Sequence, residues 1–114
     1  MSEKNHLYVL WTDDNPVTAE KMVFMYTINA IKFDWWEEVT LIVWGATAQL
    51  VSENVDMQQL IRKALEAGVT VTACKACADQ LGVTGDLEAL GIDVQYLGAP
   101  LTNLLKSDEA LLTV

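Results

Sequence analysis

The chain has 114 residues, 52% hydrophobic and 20% charged, with seven Lys and Arg against sixteen Asp and Glu for a net charge of −9. That length fits one domain over residues 1–114 with a core of its own, the acidic balance without clustered cations excludes nucleic acid as a partner, and no run reaches the ~18 apolar residues of a membrane span. The amino end, Met1-Ser2-Glu3-Lys4-Asn5, lacks the basic-then-apolar layout of a signal peptide, so the chain reads as cytoplasmic, with its apolar surplus placed in subunit contacts.

His6 to Thr12 is rich in strand formers and almost continuously apolar, which predicts a first strand buried on both faces. Asn15 then offers a helix cap and Pro16 a first helical residue that needs no N–H. The helix they open is predicted to run to about Phe33, and its apolar residues surround most of it, so it packs on two sides. Val39 to Trp44 predicts a second buried strand ending at Gly45. After a short segment at Gln49-Leu50-Val51-Ser52, Asn54 or Asp56 caps a helix whose Met57, Leu60, Ile61, Ala64 and Leu65 share one face, and Gly68 closes it.

Val69 to Ala73 predicts the third strand, which delivers Cys74-Lys75-Ala76-Cys77 into a short helix stopping near Gly82. A further helical piece, Asp86 to Leu90, precedes a fourth strand at Ile92 to Tyr96. Pro100 opens a helix reaching about Lys106, and Ala110 to Val114 supplies a fifth strand. The β-α-β-α-β-α-β-α-β order with short connections predicts an α/β domain of about five mostly parallel strands with helices on both faces. Ligands and chemistry gather at the carboxyl ends of such strands. Thr12, Asp13, Gly45, Cys74, Lys75 and Gly98 all fall there, and they form the candidate site.

The two cysteines carry the chemistry. A thiolate is the reactive form, and a helix N-terminus favours it through unpaired N–H groups and the positive end of the dipole. Cys74 has that placement, Lys75 adds a nearby cation, and Cys77 falls in the first turn, within reach for sulfur exchange or a disulfide. Against this stands the behaviour of free cysteine as a small buried hydrophobe. A thioredoxin-like site fits poorly, because the pair follows the third strand. Zinc within one chain lacks ligands, since beyond two thiols there is only His6 at the far end of the first strand; a zinc shared between subunits stays open. Trp35-Trp36 and the four methionines read as interface or core ahead of a ligand pocket. Gly45 has no companions of a dinucleotide fingerprint and no phosphate loop exists, so no cofactor is expected.

Taken together, Val69 to Val83 with Cys74 and Gly82, Thr12-Asp13-Asp14-Asn15-Pro16, Val43-Trp44-Gly45, Leu90 to Val94, and Gly98-Ala99-Pro100-Leu101-Thr102 resemble the DsrE/DsrF-like proteins nearly end to end. The resemblance implies a DsrEFH-like, flavodoxin-like three-layer sandwich that assembles into trimers or hexamers. It further implies, for some members, a cysteine that receives sulfane sulfur as a persulfide from a donor protein and passes it to an acceptor protein. By position Cys74 matches that cysteine, with Cys77 as an auxiliary or resolving thiol. Two other readings remain: a non-catalytic oligomeric binding module of the same fold, and a Cys74/Cys77 thiol-disulfide switch.

Overall fold

The computed structural model describes residues 4–114; the part of the amino-end reading that concerns residues 1–3 lies outside them. Five strands, β1 (His6–Trp11), β2 (Glu38–Val43), β3 (Thr70–Cys74), β4 (Asp93–Gln95) and β5 (Ala110–Thr113), form one sheet in the order β4-β3-β2-β1-β5. Every neighbouring pair is parallel.

The connection from β1 to β2 is α1 (Pro16–Thr18), a π-helical stretch (Ala19–Phe24) and α2 (Met25–Lys32). That from β2 to β3 holds α3 (Ala46–Glu53) and α4 (Val55–Ala67), that from β3 to β4 holds α5 (Lys75–Leu81) and α6 (Thr84–Ala89), and α7 (Gly98–Leu105) returns the chain to β5. Local signals set the ends. The Asn15 side chain accepts from the N–H groups of Val17 and Thr18 at 2.9 and 3.1 Å, Asn54 accepts from that of Met57, and Gly68 closes α4 in the left-handed region at φ +104°.

Strand order decides how the faces are covered. The steps β1 to β2 to β3 to β4 all run in one direction, so right-handed crossovers stack α1 to α6 on one face. Only the step from β4 back across the sheet to β5 runs the other way, and α7 alone lies on the second face. Helices therefore flank both faces of a three-layer sandwich, very unequally. In the flavodoxin-like order 2-1-3-4-5 the direction reverses after the second strand; here it reverses after the fourth.

This inequality corrects the reading of β1 as buried on both faces. Leu7, Val9 and Trp11 point into the main core with Val39, Leu41, Val43, Val71 and Ala73, whereas His6, Tyr8 and Leu10 on the sparse face are only half-buried. Tyr8 and Leu10 are apolar all the same, which is why the sequence lacks alternation. Two further departures concern helices. Gln49 to Ser52 lies within α3, and the first long helix carries a π-helical stretch, whose wider turn shifts the inward face by a residue. The first helix also packs on fewer sides than predicted, since Val17, Met22 and Met25 are exposed. No helix among the described residues is long and apolar enough to cross a membrane.

Candidate functional site

Ligand crevices in open α/β sheets form where adjacent strands send their connections to opposite faces. Here that point lies between β3, followed by α5 on the crowded face, and β4, followed by α7 on the sparse one. Cys74 is the last residue of β3, in register with Gln95, the last of β4. Alternation along β3 sends Val71 and Ala73 into the main core and Cys74 to the sparse face, where it packs in a small second cluster with Ile42 and Leu97. Tyr8, Leu10, Trp44, Cys77 and Leu104 border that cluster.

Cys74 is only 4% exposed, with Leu97, at 8%, packed in the same cluster. Its backbone is extended (φ −69°, ψ 115°) and it occupies the cap position of α5, although its side chain makes no capping hydrogen bond. Cys77, one turn on, is half-buried, and both thiols are free. Cys77 packs against the cluster that holds Cys74. Burial first, and the Cys74 thiol second, push the Cys77 thiol up from its ordinary pKa, against the opposing pull of the Gly45 contact.

Gly45 holds this arrangement through its backbone. Its φ of +70° with ψ −126° is a conformation that side chains disfavour, although a Cβ placed there meets nothing within 4 Å. Next to it the buried Thr47 hydroxyl donates to the Trp11 carbonyl (2.8 Å) and accepts from the Trp44 N–H (3.1 Å), tying the ends of β1 and β2 together. A buried hydroxyl satisfied on both sides contributes about 1 kcal/mol per bond.

Lys75 is directed elsewhere. Its ammonium pairs with the Asp79 carboxylate at 3.1 Å and lies 5.7 Å from the centre of the Tyr96 ring. Asp79 also accepts from the Thr84 hydroxyl, and that bond followed by Lys75 holds its carboxyl below the usual range. Hydrogen bonding to Asp79 raises Lys75 in turn. The cation thus forms an exposed rim with Tyr96 and has its charge answered by Asp79.

Of the remaining candidates, Gly98 begins α7 directly after Leu97, and its carbonyl accepts from the Thr102 hydroxyl. Thr12 and Asp13 lie two strands from Cys74. Thr12 donates from its N–H and hydroxyl to the Val114 carbonyl, while the Asp13 carboxylate accepts from the Asn15 N–H and its carbonyl from the Trp11 indole. Their polar groups are thus engaged at the β1–β5 edge and the start of α1. Cys74, Cys77 and Gly45 come together; Trp44, Leu97 and Ile42 join them unpredicted, through the every-second-residue alternation that a nearly continuous apolar run conceals. His6 stands at the opposite end of β1, its ring bonded to Thr40 at 2.7 Å and 3.3 Å from the Glu38 carboxylate. Among the described residues no three His, Cys, Asp or Glu side chains gather as a metal-holding group.

Residues 8–114 match the DsrE/DsrF-like family. The chain belongs to that family. A solved structure described as a conserved protein of unknown function, BT1422 from Bacteroides thetaiotaomicron, is 38% identical, with 96% of this chain and 95% of that one covered and a TM-score of 0.95. The ychN protein from E. coli shares the fold at 16% identity, with a TM-score of 0.72 over 98% of this chain and all of that one. No curated protein matches the chain. DsrE/DsrF-like membership thus accounts for the layered fold and is consistent with a fold related to sulfur relay.

Proposed function

We propose that this DsrE/DsrF-like chain carries sulfane sulfur as a persulfide on Cys74, receiving it from a donor protein and surrendering it to an acceptor. The observation that supports this reading is the place of Cys74: the end of β3, beside the strand whose connection reverses face, with a second thiol on the helical turn that follows. The Cys74 thiolate attacks the outer sulfur of a donor persulfide R–S–SH; the donor S–S bond breaks and R–S⁻ leaves and is protonated. An acceptor thiolate then attacks the outer sulfur of Cys74–S–SH, returning Cys74 as thiolate. Sulfur is relayed and nothing is consumed in the cycle, so the chain acts as a sulfurtransferase-like carrier more than as a conventional turnover enzyme. Gly45 and Gly98 border the approach to Cys74 in this reading, whereas Lys75, paired with Asp79, stands at its rim and Thr12 and Asp13, two strands away, take no part. The reading includes a homo-oligomer, trimer or hexamer, working in the reducing cytoplasm where thiols stay free.

The test is intact-mass measurement of samples quenched during incubation with a persulfide donor, while loading is still in progress. An added sulfur on the chain is expected, lost in Cys74→Ser; an equal gain in Cys74→Ser would sink the reading. A second reading, a binding module without chemistry at Cys74, draws on the burial of that thiol and on the groove of about 340 Å³ between Tyr8 and the α7 residues Pro100, Asn103 and Leu104. It predicts neither added sulfur nor loss of two hydrogens in either chain.

A further inference from the structure

Cys77 is a nucleophile that carriage of sulfur by Cys74 leaves idle. It occupies the third position of α5 while Cys74 occupies the cap, so both side chains lie on the same first turn, and Cys77 packs against the cluster that holds Cys74. Neighbouring thiols on one helical turn are within the span a disulfide bridges. Ile42, Leu97 and Trp44 pack around the pair. The Sγ of a loaded Cys74 is therefore screened from external thiols, which reach only the outer sulfur, while Cys77 is already in place.

From this juxtaposition we infer that Cys77 discharges the Cys74 persulfide within the chain, releasing hydrogen sulfide and leaving a Cys74–Cys77 disulfide. The inference rests on the carrier reading proposed above. The Cys77 thiolate attacks the Sγ of Cys74–S–SH, which shares its helical turn. A new Sγ–Sγ bond forms, the bond from Cys74 Sγ to the outer sulfur breaks, and the electron pair leaves on HS⁻, which takes up the proton lost by Cys77. The sulfane sulfur is reduced to sulfide and the two cysteines are oxidised. Hydrosulfide is a better leaving group than a cysteine thiolate, because the group with the lower proton affinity leaves faster. Small-molecule thiols reset the pair, two RSH giving RSSR and the free dithiol. A chain loaded in the absence of its acceptor thus empties itself and becomes unable to load again until reduced.

The experiment uses the full chain, with wild type, Cys77→Ser, Cys77→Ala and Cys74→Ser each loaded with inorganic polysulfide and then desalted. Wild type should lose the added sulfur, end two hydrogens lighter than the free dithiol, and release one sulfide per chain. Both Cys77 variants should keep the sulfur on the order of tenfold longer or more, given the advantage of a positioned internal nucleophile. Wild type holding its sulfur as long as the Cys77 variants would overturn the inference and leave the carrier reading standing. Sulfur mapped to Cys77 in Cys74→Ser would overturn it by reversing the roles. Failure of the Cys77 variants to load at all would remove the carrier reading, and the inference with it.

Discussion

At the scale of single residues, the chemistry turns on which thiol is free to ionise. Cys77 holds its proton above the ordinary thiol range because burial and the neighbouring Cys74 both disfavour its anion. Only the anion attacks sulfur. Discharge of the loaded chain should therefore quicken as pH rises through and beyond the ordinary thiol range, and sulfide release measured across that span should climb in wild type while Cys77→Ser stays flat. A rate independent of pH would show that Cys77 is not the attacking group. Stability follows the same sign: a thiol raised on folding favours the folded chain at low and neutral pH, and that contribution is lost as pH climbs through the raised value. The positions of Cys74 and Lys75 were legible in the sequence, since a strand running into a helix is a local pattern. The engagement of Lys75 with Asp79 was half-legible as a pair four residues apart. The packing of Cys74 with Ile42 and Leu97 was not, because it joins different strands and depends on their register.

At the scale of elements, α7 differs from every other helix except the three-residue α1. It buries none of its residues, whereas α4 buries Met57, Ile61 and Ala64 along one face. Elements with few buried apolar side chains open at low free energy. Leu97, at the turn into α7, is packed with Cys74, so access to the thiol is tied to the looseness of this segment. Leu97→Ala removes most of that cover. The variant should react with a small alkylating reagent at Cys74 several-fold faster than wild type, and it should lose on the order of 2 kcal/mol in urea unfolding, the lower range for truncating a buried leucine. Unchanged alkylation would mean that Cys74 is reached from the Gly45 side. Helix ends marked by Asn15, Asn54, Gly68 and Gly82 were readable because a cap is local: an asparagine side chain accepts from the first turn, and a glycine takes the left-handed backbone that closes the last. α3 was not, since its Ala46-Thr47-Ala48 start carries no side-chain cap and follows a glycine that reads as a turn.

For the molecule as a whole, the strand order puts six helices on one face and one on the other, and the family fold accounts for the site through that single reversal. The strands could be read from their composition, but their order could not, because short connections fit several orders equally well. The same arrangement leaves apolar surface uncovered. Phe33 and Trp35 stand side by side, ring centres 5.7 Å apart and each 56% exposed, with Met22 and Met25 exposed along the same helical connection. Trp36, in contrast, is half-buried and donates from its indole to the Tyr26 hydroxyl. Exposed aromatic and methionine side chains are the composition of an interface core, and a homo-oligomer built on this flank would cover them. Copies carrying a charge of −9 repel one another, so association should strengthen as salt rises towards and past about 0.15 M, where charges more than ~8 Å apart are screened. Light scattering at micromolar concentration should give a mass above the 12.6 kDa of one chain, and Trp35→Lys should weaken association by about thirtyfold, as expected for losing ~2 kcal/mol at an aromatic anchor. A wild type that stays at the mass of one chain at every salt concentration would remove the oligomer from the proposal; an oligomer indifferent to Trp35→Lys would move the interface to the sparsely covered face of the sheet, beside Tyr8 and Leu10.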